Sequence, residues 1–381
     1  MHIDTATFES VRTPIYHYDI QLLRKTLAAL DAARHGEANI HYHYAFKANA
    51  RPELLRIISG AGLGADCVSG GEVSAAIAAG FPREEISFAG VGKADWEIDL
   101  ALRERIGCFN VESLPELEVI NERAAALGMT APVCLRINPD VDAHTHEKIT
   151  TGRSENKFGI PVEDTVEAVR IAAGMANVRY RGLHFHIGSN VLNMDEFIPL
   201  CGRINELQRL LEAEGLPTAE IINVGGGLGV SYEEPDAYPV PDFDGYVDVY
   251  RQHLELRPGQ QLYFEPGRSV VAQCGTLISR VLYVKPVRRR NFLILDAGFT
   301  ELIRPAFYNA YHKIENLSSK EAEETYDVVG PICESSDVFQ TDVRLPGGHR
   351  GDFIALRTAG AYGETMASGY NLRPLPDAIL S

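Results

Sequence analysis

Residues 40–49 read IHYHYAFKAN, an apolar and β-prone run that ends in a lysine and a polar turn. The run Ile40–Phe46 predicts a buried β-strand. The next stretch, Pro52–Ala61, carries apolar residues at the three- and four-residue spacing of a helix. Lys47 therefore follows directly after a strand, within a strand–helix unit. Because this unit recurs along the chain, it decides the fold.

The strand–helix rhythm continues through seven further apolar runs, each followed by a helix-like stretch. These runs are Ala65–Val68, Ile86–Ala89, Cys108–Val111, Val133–Ile137, Tyr180–Ile187, Glu220–Val224 and Gln261–Phe264. Eight strands alternating with helices over about 240 residues have the count and length of a (β/α)8 barrel. An open doubly wound sheet fits six or seven such units as well, so the count alone does not decide between them.

Unusual polar and glycine residues stand at the carboxyl ends of the predicted strands, and they favour the barrel. They are Lys47, Asp66, Arg136, His186, Gly225–Gly227 and Glu265. Barrel enzymes build their sites at the face where the strands end. A chance scatter of polar residues would not select one end of so many strands.

The rhythm changes after Arg268, where short β-prone runs alternate with turns and helical spacing is scarce. We therefore predict a barrel domain over residues 20–268 and an all-β domain over 269–381, with residues 1–19 pairing into the latter. The polar stretch 140–160 is long for a barrel loop, and its part Thr151–Phe158 is a candidate lid or binding loop.

Composition narrows the class of protein. The 381 residues carry a formal net charge of −16, which argues against sequence-independent binding to nucleic acid. No apolar run reaches the roughly 18 residues of a membrane span, and the first residues lack a secretory signal, so we expect a cytosolic enzyme. The six cysteines form no CxxC pair, so the sequence predicts no metal site.

Lys47 and the glycine run each allow two readings. A lysine at a pocket floor loses solvation, which lowers its pKa as a Schiff-base lysine requires. It could equally extend its amine from a strand end into water. The glycines Gly225–Gly227 allow a backbone to hold phosphate oxygens, or they form a structural tight turn; their spacing is not that of a dinucleotide fingerprint.

The segment Glu265–Arg268 closes the eighth predicted strand. A carboxylate there can hold a pyridine nitrogen protonated, and Arg268 suits a phosphate or carboxylate, although a buried Glu–Arg pair would explain both residues. His184 and His186 alternate on the sixth strand, and His186 is better placed to stack on a flat ring. A lone histidine is more often structural.

The C-terminal part contributes weaker candidates. Cys333 and Glu334 place a thiol beside a carboxylate, and Tyr362 stands between small residues. Arg304 and Tyr308 have the groups needed to bind a carboxylate. None of these residues is compelling alone.

Taken together, the motifs resemble the diaminopimelate decarboxylase family of the alanine-racemase-like (fold-type III) pyridoxal-phosphate enzymes. The resemblance runs from about Thr13 to Pro374. The ordered strings are YAFKAN, GADCVSGGE, TGRSENKFGI, HFHIGS, VGGGLG, FEPGR, DAGFTELIRPAFY, GPICESSD and GAYGETMASGYN. Each string is weak by itself, and the ordered set is highly specific.

The resemblance implies that the cofactor is pyridoxal phosphate, with Lys47 as its Schiff-base lysine and His186 stacked on its ring. It implies that the glycine turn and the FEPGR segment hold the phosphate, and that Glu265 faces the pyridine nitrogen. The implied cofactor-binding residues are Lys47, Asp66, His186, Gly225, Gly226, Gly227, Glu265, Gly267, Arg268 and Tyr362.

The implied reaction is decarboxylation of meso-diaminopimelate to L-lysine, the last step of lysine biosynthesis. The implied substrate-binding residues are Arg268, Arg304, Tyr308, Glu334 and Tyr362. Cys333 would come from the partner in a homodimer and protonate the carbanion, so the implied catalytic residues are Lys47, Cys333 and His186. The alternatives are a decarboxylase of ornithine, lysine or arginine, an alanine racemase, a silent cofactor-binding regulator and, least of all, a scaffold without a ligand.

Overall fold

A computed structural model describes residues 4–141, 157–288 and 290–381. The chain divides into two compact units. The β unit comprises Met1–Thr26, Val230–Pro241 and Arg268–Ser381, and the barrel unit comprises Leu27–Gly229 and Asp242–Gly267.

The secondary structure follows in chain order. The strands are β1 (Ile15–Tyr18), β2 (Ile40–Ala45), β3 (Gly64–Cys67), β4 (Ile86–Phe88), β5 (Cys108–Val111), β6 (Ala131–Asn138), β7 (Ile160–Pro161), β8 (Val178–His184), β9 (Ile221–Asn223), β10 (Gln261–Phe264), β11 (Gly275–Val287), β12 (Arg290–Leu295), β13 (Ile314–Asn316), β14 (Glu323–Val329), β15 (Val338–Pro346), β16 (Phe353–Leu356) and β17 (Asp377–Leu380). The helices are α1 (Ile20–Ala32), α2 (Pro52–Gly60), α3 (Gly70–Ala79), α4 (Asp95–Glu104), α5 (Leu114–Leu127), α6 (Thr165–Gly174), α7 (Ile198–Ala213), α8 (Phe243–His253), α9 (Arg268–Val271) and α10 (Arg304–Tyr308).

The barrel unit is a closed ring of eight parallel strands. Around the ring the order is β2, β3, β4, β5, β6, β8, β9 and β10, and β10 pairs back with β2. The two-residue strand β7 adds to the edge of β6. The predicted (β/α)8 barrel with an appended β domain is confirmed. Since all eight strands are parallel, their carboxyl ends share one face.

Capping residues fix where the barrel helices begin. At α3, the Ser69 hydroxyl accepts a hydrogen bond from the Glu72 N–H, while the Glu72 carboxylate accepts one from the Val68 N–H. The same arrangement recurs at α5, where Ser113 caps the Glu116 N–H. Such Ser-x-x-Glu caps satisfy N–H groups that a helix start leaves without partners. They hold the turns after β3 and β5 in place.

The β unit contains one mostly antiparallel sheet in the order β13, β16, β11, β12, β14, β15. Strand β1 pairs antiparallel with β11 and parallel with β17. The pair β12 and β14 is parallel, and the other pairs along the main path are antiparallel. Part of its core is a cluster of Phe8, Ile15, Ile278, Phe353 and Ala355.

Two details differ from the sequence pattern. The predicted run Tyr180–Ile187 extends past the regular strand, because β8 ends at His184 and only the Phe185 N–H continues the pairing, at 2.8 Å from the Asn223 carbonyl. Strands β13, β15 and β17 were not predicted, and in β15 the exposed and buried residues follow no regular alternation. Within the described residues, no helix has the length and apolar character to span a membrane.

Candidate active site

The strand ends of the barrel unit carry a set of polar side chains. Lys47 follows β2, Asp66 lies on β3, Asn110 on β5, Arg136 on β6, His184 ends β8, Asn223 ends β9, and Glu265 follows β10. Because these positions belong to one face of the ring, their side chains form one polar group.

Lys47 lies beside a buried carboxylate. Its Nζ is 3.7 Å from Oδ2 of Asp66, whose side chain is 1% exposed, while the Lys47 side chain is 42% exposed. Burial, and then the charge of Glu265, raise the pKa of Asp66, and the Lys47 ammonium opposes that shift. Neither Asp66 oxygen accepts a hydrogen bond from a described residue. We expected Lys47 to be desolvated, but the residue that loses most of its contact with water is Asp66.

Glu265 is held as a carboxylate. It accepts hydrogen bonds from His184 Nε2 at 3.0 Å, Asn223 Nδ2 at 2.7 Å and Asn110 Nδ2 at 3.2 Å. Burial alone raises the pKa of Glu265, but His184, the Lys47 ammonium and the Asn223 hydrogen bond outweigh it and hold the pKa well below its usual value. A carboxylate has about four acceptor positions, so the three donors leave roughly one for a ligand.

His186 is a neutral ring. The Gly226 N–H donates to its Nδ1 at 3.2 Å, which puts the imidazole proton on Nε2. Burial, and then the positive charges of Lys47 and Arg136, lower the pKa of His186 well below its usual value. A flat, uncharged ring beside the strand ends is suited to stacking on an aromatic ligand.

The turn Gly225–Gly227 requires glycine for two reasons. Gly225 and Gly227 have φ values of +71° and +121°, and a Cβ on Gly226 would lie 2.4 Å from the Glu265 carbonyl oxygen. Two of the N–H groups that we expected to be free already donate, from Gly225 to Asn223 and from Gly226 to His186. Among the described residues, the Gly227 N–H is left as the donor available to an anion in this turn.

These barrel residues fit pyridoxal phosphate. Lys47 supplies a primary amine beside a buried carboxylate that lacks hydrogen-bond donors. The ionised Glu265 has an acceptor position left for a pyridine N–H. The neutral His186 offers a flat face, and the glycine turn offers a backbone donor.

The β unit contains a cluster of buried cations and phenols. Arg268 donates to the Tyr232 hydroxyl at 2.5 Å, and its guanidinium lies 4.9 Å from the centre of the Tyr362 ring. The Arg304 guanidinium lies 4.8 Å from the centre of the Tyr232 ring, and it donates to His312 Nε2 at 2.8 Å. Two buried guanidiniums in one cluster make an anion the expected ligand.

Tyr362 and Tyr308 differ in how they are held. Tyr362 has a φ of +56°, a conformation that is strained for a non-glycine residue and is found disproportionately at functional sites. Tyr308 ends α10, four residues after Arg304, and its ring packs edge-on against Phe307 with 4.7 Å between ring centres. Both phenols are partly exposed.

Cys333 and Glu334 lie on an exposed turn of the β unit. The Cys333 N–H donates to Asn371 at 3.3 Å, and Glu334 accepts from the Tyr370 hydroxyl at 2.7 Å. Cys333 is exposed, whereas the other five cysteines are buried. No hydrogen bond or ring contact between described residues joins this turn to Arg304, so the structure does not bring these predicted residues together within one chain.

Most of the candidate loop Thr151–Phe158 falls outside the described residues. Just beyond it, the Gly159 N–H donates to Glu112 Oε2 at 2.9 Å, and Glu112 in turn pairs with Arg136 at 2.6 Å. The end of the loop is thereby attached to the strand ends of the barrel unit.

The sequence did not single out four residues of these clusters. Asn110 is the last residue but one of β5 and Asn223 ends β9, so the rule that selected Asp66 and Glu265 would have found them. Tyr232 and His312 stand in no motif, and only the folded structure shows their hydrogen bonds with the arginines.

Comparisons with known proteins place this geometry in a family. The family described as "Pyridoxal-dependent decarboxylase, pyridoxal binding domain" matches residues 22–272. A diaminopimelate decarboxylase of Bacteroides thetaiotaomicron is 59% identical over 98% of this chain and 97% of that protein. One from Zymomonas mobilis is 41% identical over 97% of this chain and 87% of that protein.

Solved structures agree with the sequence comparisons. A Helicobacter pylori diaminopimelate decarboxylase complexed with L-lysine matches with a TM-score of 0.93 and 38% identity, over 99% of this chain and 93% of that one. A Vibrio vulnificus lysine/ornithine decarboxylase complexed with cadaverine has a TM-score of 0.85, with 99% and 96% coverage, but its 24% identity shows the fold alone. This chain therefore belongs to the diaminopimelate decarboxylase family of pyridoxal-phosphate enzymes.

Proposed function

We propose that this protein decarboxylates meso-diaminopimelate to L-lysine and CO2 with pyridoxal phosphate as its cofactor. One observation carries the proposal: three side-chain donors keep the buried Glu265 ionised beside Lys47 and His186. The 59% identity to a diaminopimelate decarboxylase across nearly the whole chain supports the choice of substrate.

The barrel unit would hold the cofactor. Lys47 would bind it covalently through Nζ, His186 would stack on its ring, and Glu265 would accept a hydrogen bond from its nitrogen. When bound, pyridoxal phosphate supplies an electron sink for the negative charge that remains when CO2 departs. Because Glu265 is ionised, it would favour a proton on the ring nitrogen, which the electron sink requires.

Asp66 would hold the Lys47 amine in place and accept a proton from it. Its carboxylate lies 3.7 Å from Nζ, close enough to hold that amine in one place and to stabilise its protonated form. Burial raises the pKa of Asp66, so its carboxylate would hold a proton more readily than an exposed one. Asp66 can therefore accept a proton when Nζ gives one up.

Phosphate and substrate anions would be bound by backbone and cationic donors. The Gly225–Gly227 turn would contact the phosphate, together with Gly267 and Arg268. Arg304, with Tyr308 and Tyr362, would orient the distal carboxylate of the substrate, which holds the reacting carbon in one geometry. Glu334 would bind the distal amine.

We further propose a homodimer in which Cys333 acts in the partner's site as the proton donor. Cys333 is exposed on a turn that also carries Glu334, and Leu372, which follows the Asn371 that accepts from the Cys333 N–H, is 98% exposed. Leu375 and Phe307 are exposed apolar residues of the same unit, and such side chains favour an interface. We also propose that the protein is located in the cytosol.

The proposal is tested by incubating the cofactor-loaded protein with meso-diaminopimelate and quantifying CO2 and L-lysine. Equal amounts of the two products are expected. CO2 without L-lysine, or no CO2 from protein that carries bound cofactor, would overturn the proposal.

A further inference from the structure

Arg304 is a buried guanidinium that no carboxylate of the described residues neutralises. Its side chain lies in the β unit with 7% of the residue exposed, and no carboxylate of the described residues forms an ion pair with it. An arginine remains charged in proteins, so burying it in this way costs free energy. Its contacts are the Tyr232 ring and the imidazole of His312.

His312 receives the Arg304 hydrogen bond as a neutral acceptor. Its Nδ1 lies 2.9 Å from the Arg357 carbonyl oxygen, which can only accept, so Nδ1 carries the proton and Nε2 offers a lone pair to Arg304. Burial, and then the charge of Arg304, lower the pKa of His312 to about 3. The Tyr232 ring packs edge-on against the imidazole, with 5.2 Å between ring centres.

A second buried arginine of the β unit shows the contrast. Arg357 is 4% exposed and pairs with two carboxylates, Asp236 at 2.9 Å and Glu315 at 2.6 Å. The chain therefore neutralises one buried guanidinium with its own acids. It holds Arg304, by contrast, with an acceptor that takes up none of its charge.

We propose that His312 is a positioning residue that orients Arg304 and leaves its charge available to the distal carboxylate of a ligand. This inference rests on the proposed function and extends it, because it makes His312 a determinant of selectivity for ligands with that carboxylate. Loss of CO2 from one end of diaminopimelate leaves L-lysine with the carboxylate at the other end. Cadaverine has the same chain length and both amines but no carboxylate.

The test compares the binding of these two ligands to the cofactor-loaded protein by titration calorimetry. Three variants are compared with the wild type: His312→Gln retains a neutral acceptor, His312→Glu places a carboxylate of the same size there, and His312→Phe removes the acceptor. The control is His17→Phe, a buried histidine of the same unit that bonds to Ser381.

The Phe variant is expected to bind L-lysine about 10- to 100-fold more weakly, the range for a lost charge-assisted hydrogen bond. The Glu variant is expected to lose a similar factor, because its carboxylate would neutralise the Arg304 charge that the ligand needs. Their affinity for cadaverine, and that of the control for both ligands, is expected to stay within about twofold of wild type. The Gln variant is expected to recover most of the affinity for L-lysine. A purely structural role for His312 would weaken both ligands alike.

The nearly isosteric pair of Gln and Glu decides the question even if the Phe variant fails to fold. Equal ratios of L-lysine to cadaverine affinity in these two variants would overturn the role of His312 and leave the proposed function standing. A wild type that neither releases CO2 from diaminopimelate nor binds L-lysine would instead overturn the proposed function.

Discussion

Oε2 of Glu265 lies 3.0 Å from Nε2 of His184, and both side chains are almost fully buried at the strand ends of the barrel unit. A buried carboxylate is stable only when it is paired and hydrogen-bonded. Two asparagines complete the set of donors, so Glu265 stays ionised and could accept a hydrogen bond from a pyridine N–H.

Replacing Glu265 with glutamine tests that charge. The side chain keeps its size but no longer holds a ring proton, so we expect kcat to fall by on the order of 100-fold, as for other lost electrostatic contacts in a site. The cofactor should remain bound, as its visible absorption would show. The control is Glu255→Gln, which removes an exposed ion pair with Arg209. Wild-type turnover in Glu265→Gln would contradict the assignment.

A methyl group on Gly226 tests the glycine turn. In Gly226→Ala the new Cβ would lie 2.4 Å from the Glu265 carbonyl oxygen, so the backbone must shift. We expect at least about a tenfold loss of affinity for pyridoxal phosphate, measured by equilibrium dialysis. Gly202→Ala is the matched control, because its Cβ meets no atom within 4 Å and it lies within α7. It should raise the free energy of unfolding by about 0.5–1 kcal/mol. Unchanged cofactor affinity in Gly226→Ala would exclude a role for the turn.

The pKa of His312 predicts a pH dependence of stability. The unfolded chain binds a proton at this residue below about pH 6.5, whereas the folded chain binds it only below about pH 3. Stability should therefore fall as the pH falls through this window. Urea unfolding at pH 7 and pH 5 should show a loss that is on the order of 2 kcal/mol larger in the wild type than in His312→Gln. Equal losses would mean that folding does not lower the pKa of His312.

Mixing two inactive variants tests the shared site. Lys47→Ala removes the amine for the cofactor, and Cys333→Ala removes the proposed proton donor. If each site combines Lys47 of one subunit with Cys333 of the other, a random heterodimer has one intact site. Half of the dimers are then heterodimers, so the mixture should recover about a quarter of wild-type activity. No recovery despite subunit exchange, measured by mass spectrometry, would argue for sites built from one chain.

The sequence predicted the barrel because its strands are bounded by local signals. The runs Cys108–Val111 and Gln261–Phe264 coincide with β5 and β10, where apolar residues give way to polar strand ends. The residues Lys47, Asp66 and Glu265 were found by the same rule, since strand ends of a barrel converge whatever the loops do.

Other parts depend on contacts between distant residues, which no local pattern encodes. Arg268 donates a hydrogen bond to the Tyr232 hydroxyl, although the two residues are 36 positions apart in the chain. Neither residue alone predicts that hydrogen bond. His312 is eight positions from Arg304, but its neutral state follows from burial and from the Arg357 carbonyl. The N–H groups of Gly225 and Gly226 are likewise occupied by side chains that only folding brings to them.

The proposed substrate is tested most directly by measuring CO2 release from the cofactor-loaded protein, offered meso-diaminopimelate, L-lysine, L-ornithine and L-arginine in parallel. We predict release from diaminopimelate alone, because no described carboxylate neutralises Arg304 and a substrate with a second carboxylate would do so. Release from one of the other three amino acids and not from diaminopimelate would contradict that claim while leaving the fold and cofactor intact. Silence with all four, despite bound cofactor, would mean that the protein binds pyridoxal phosphate without catalysing decarboxylation.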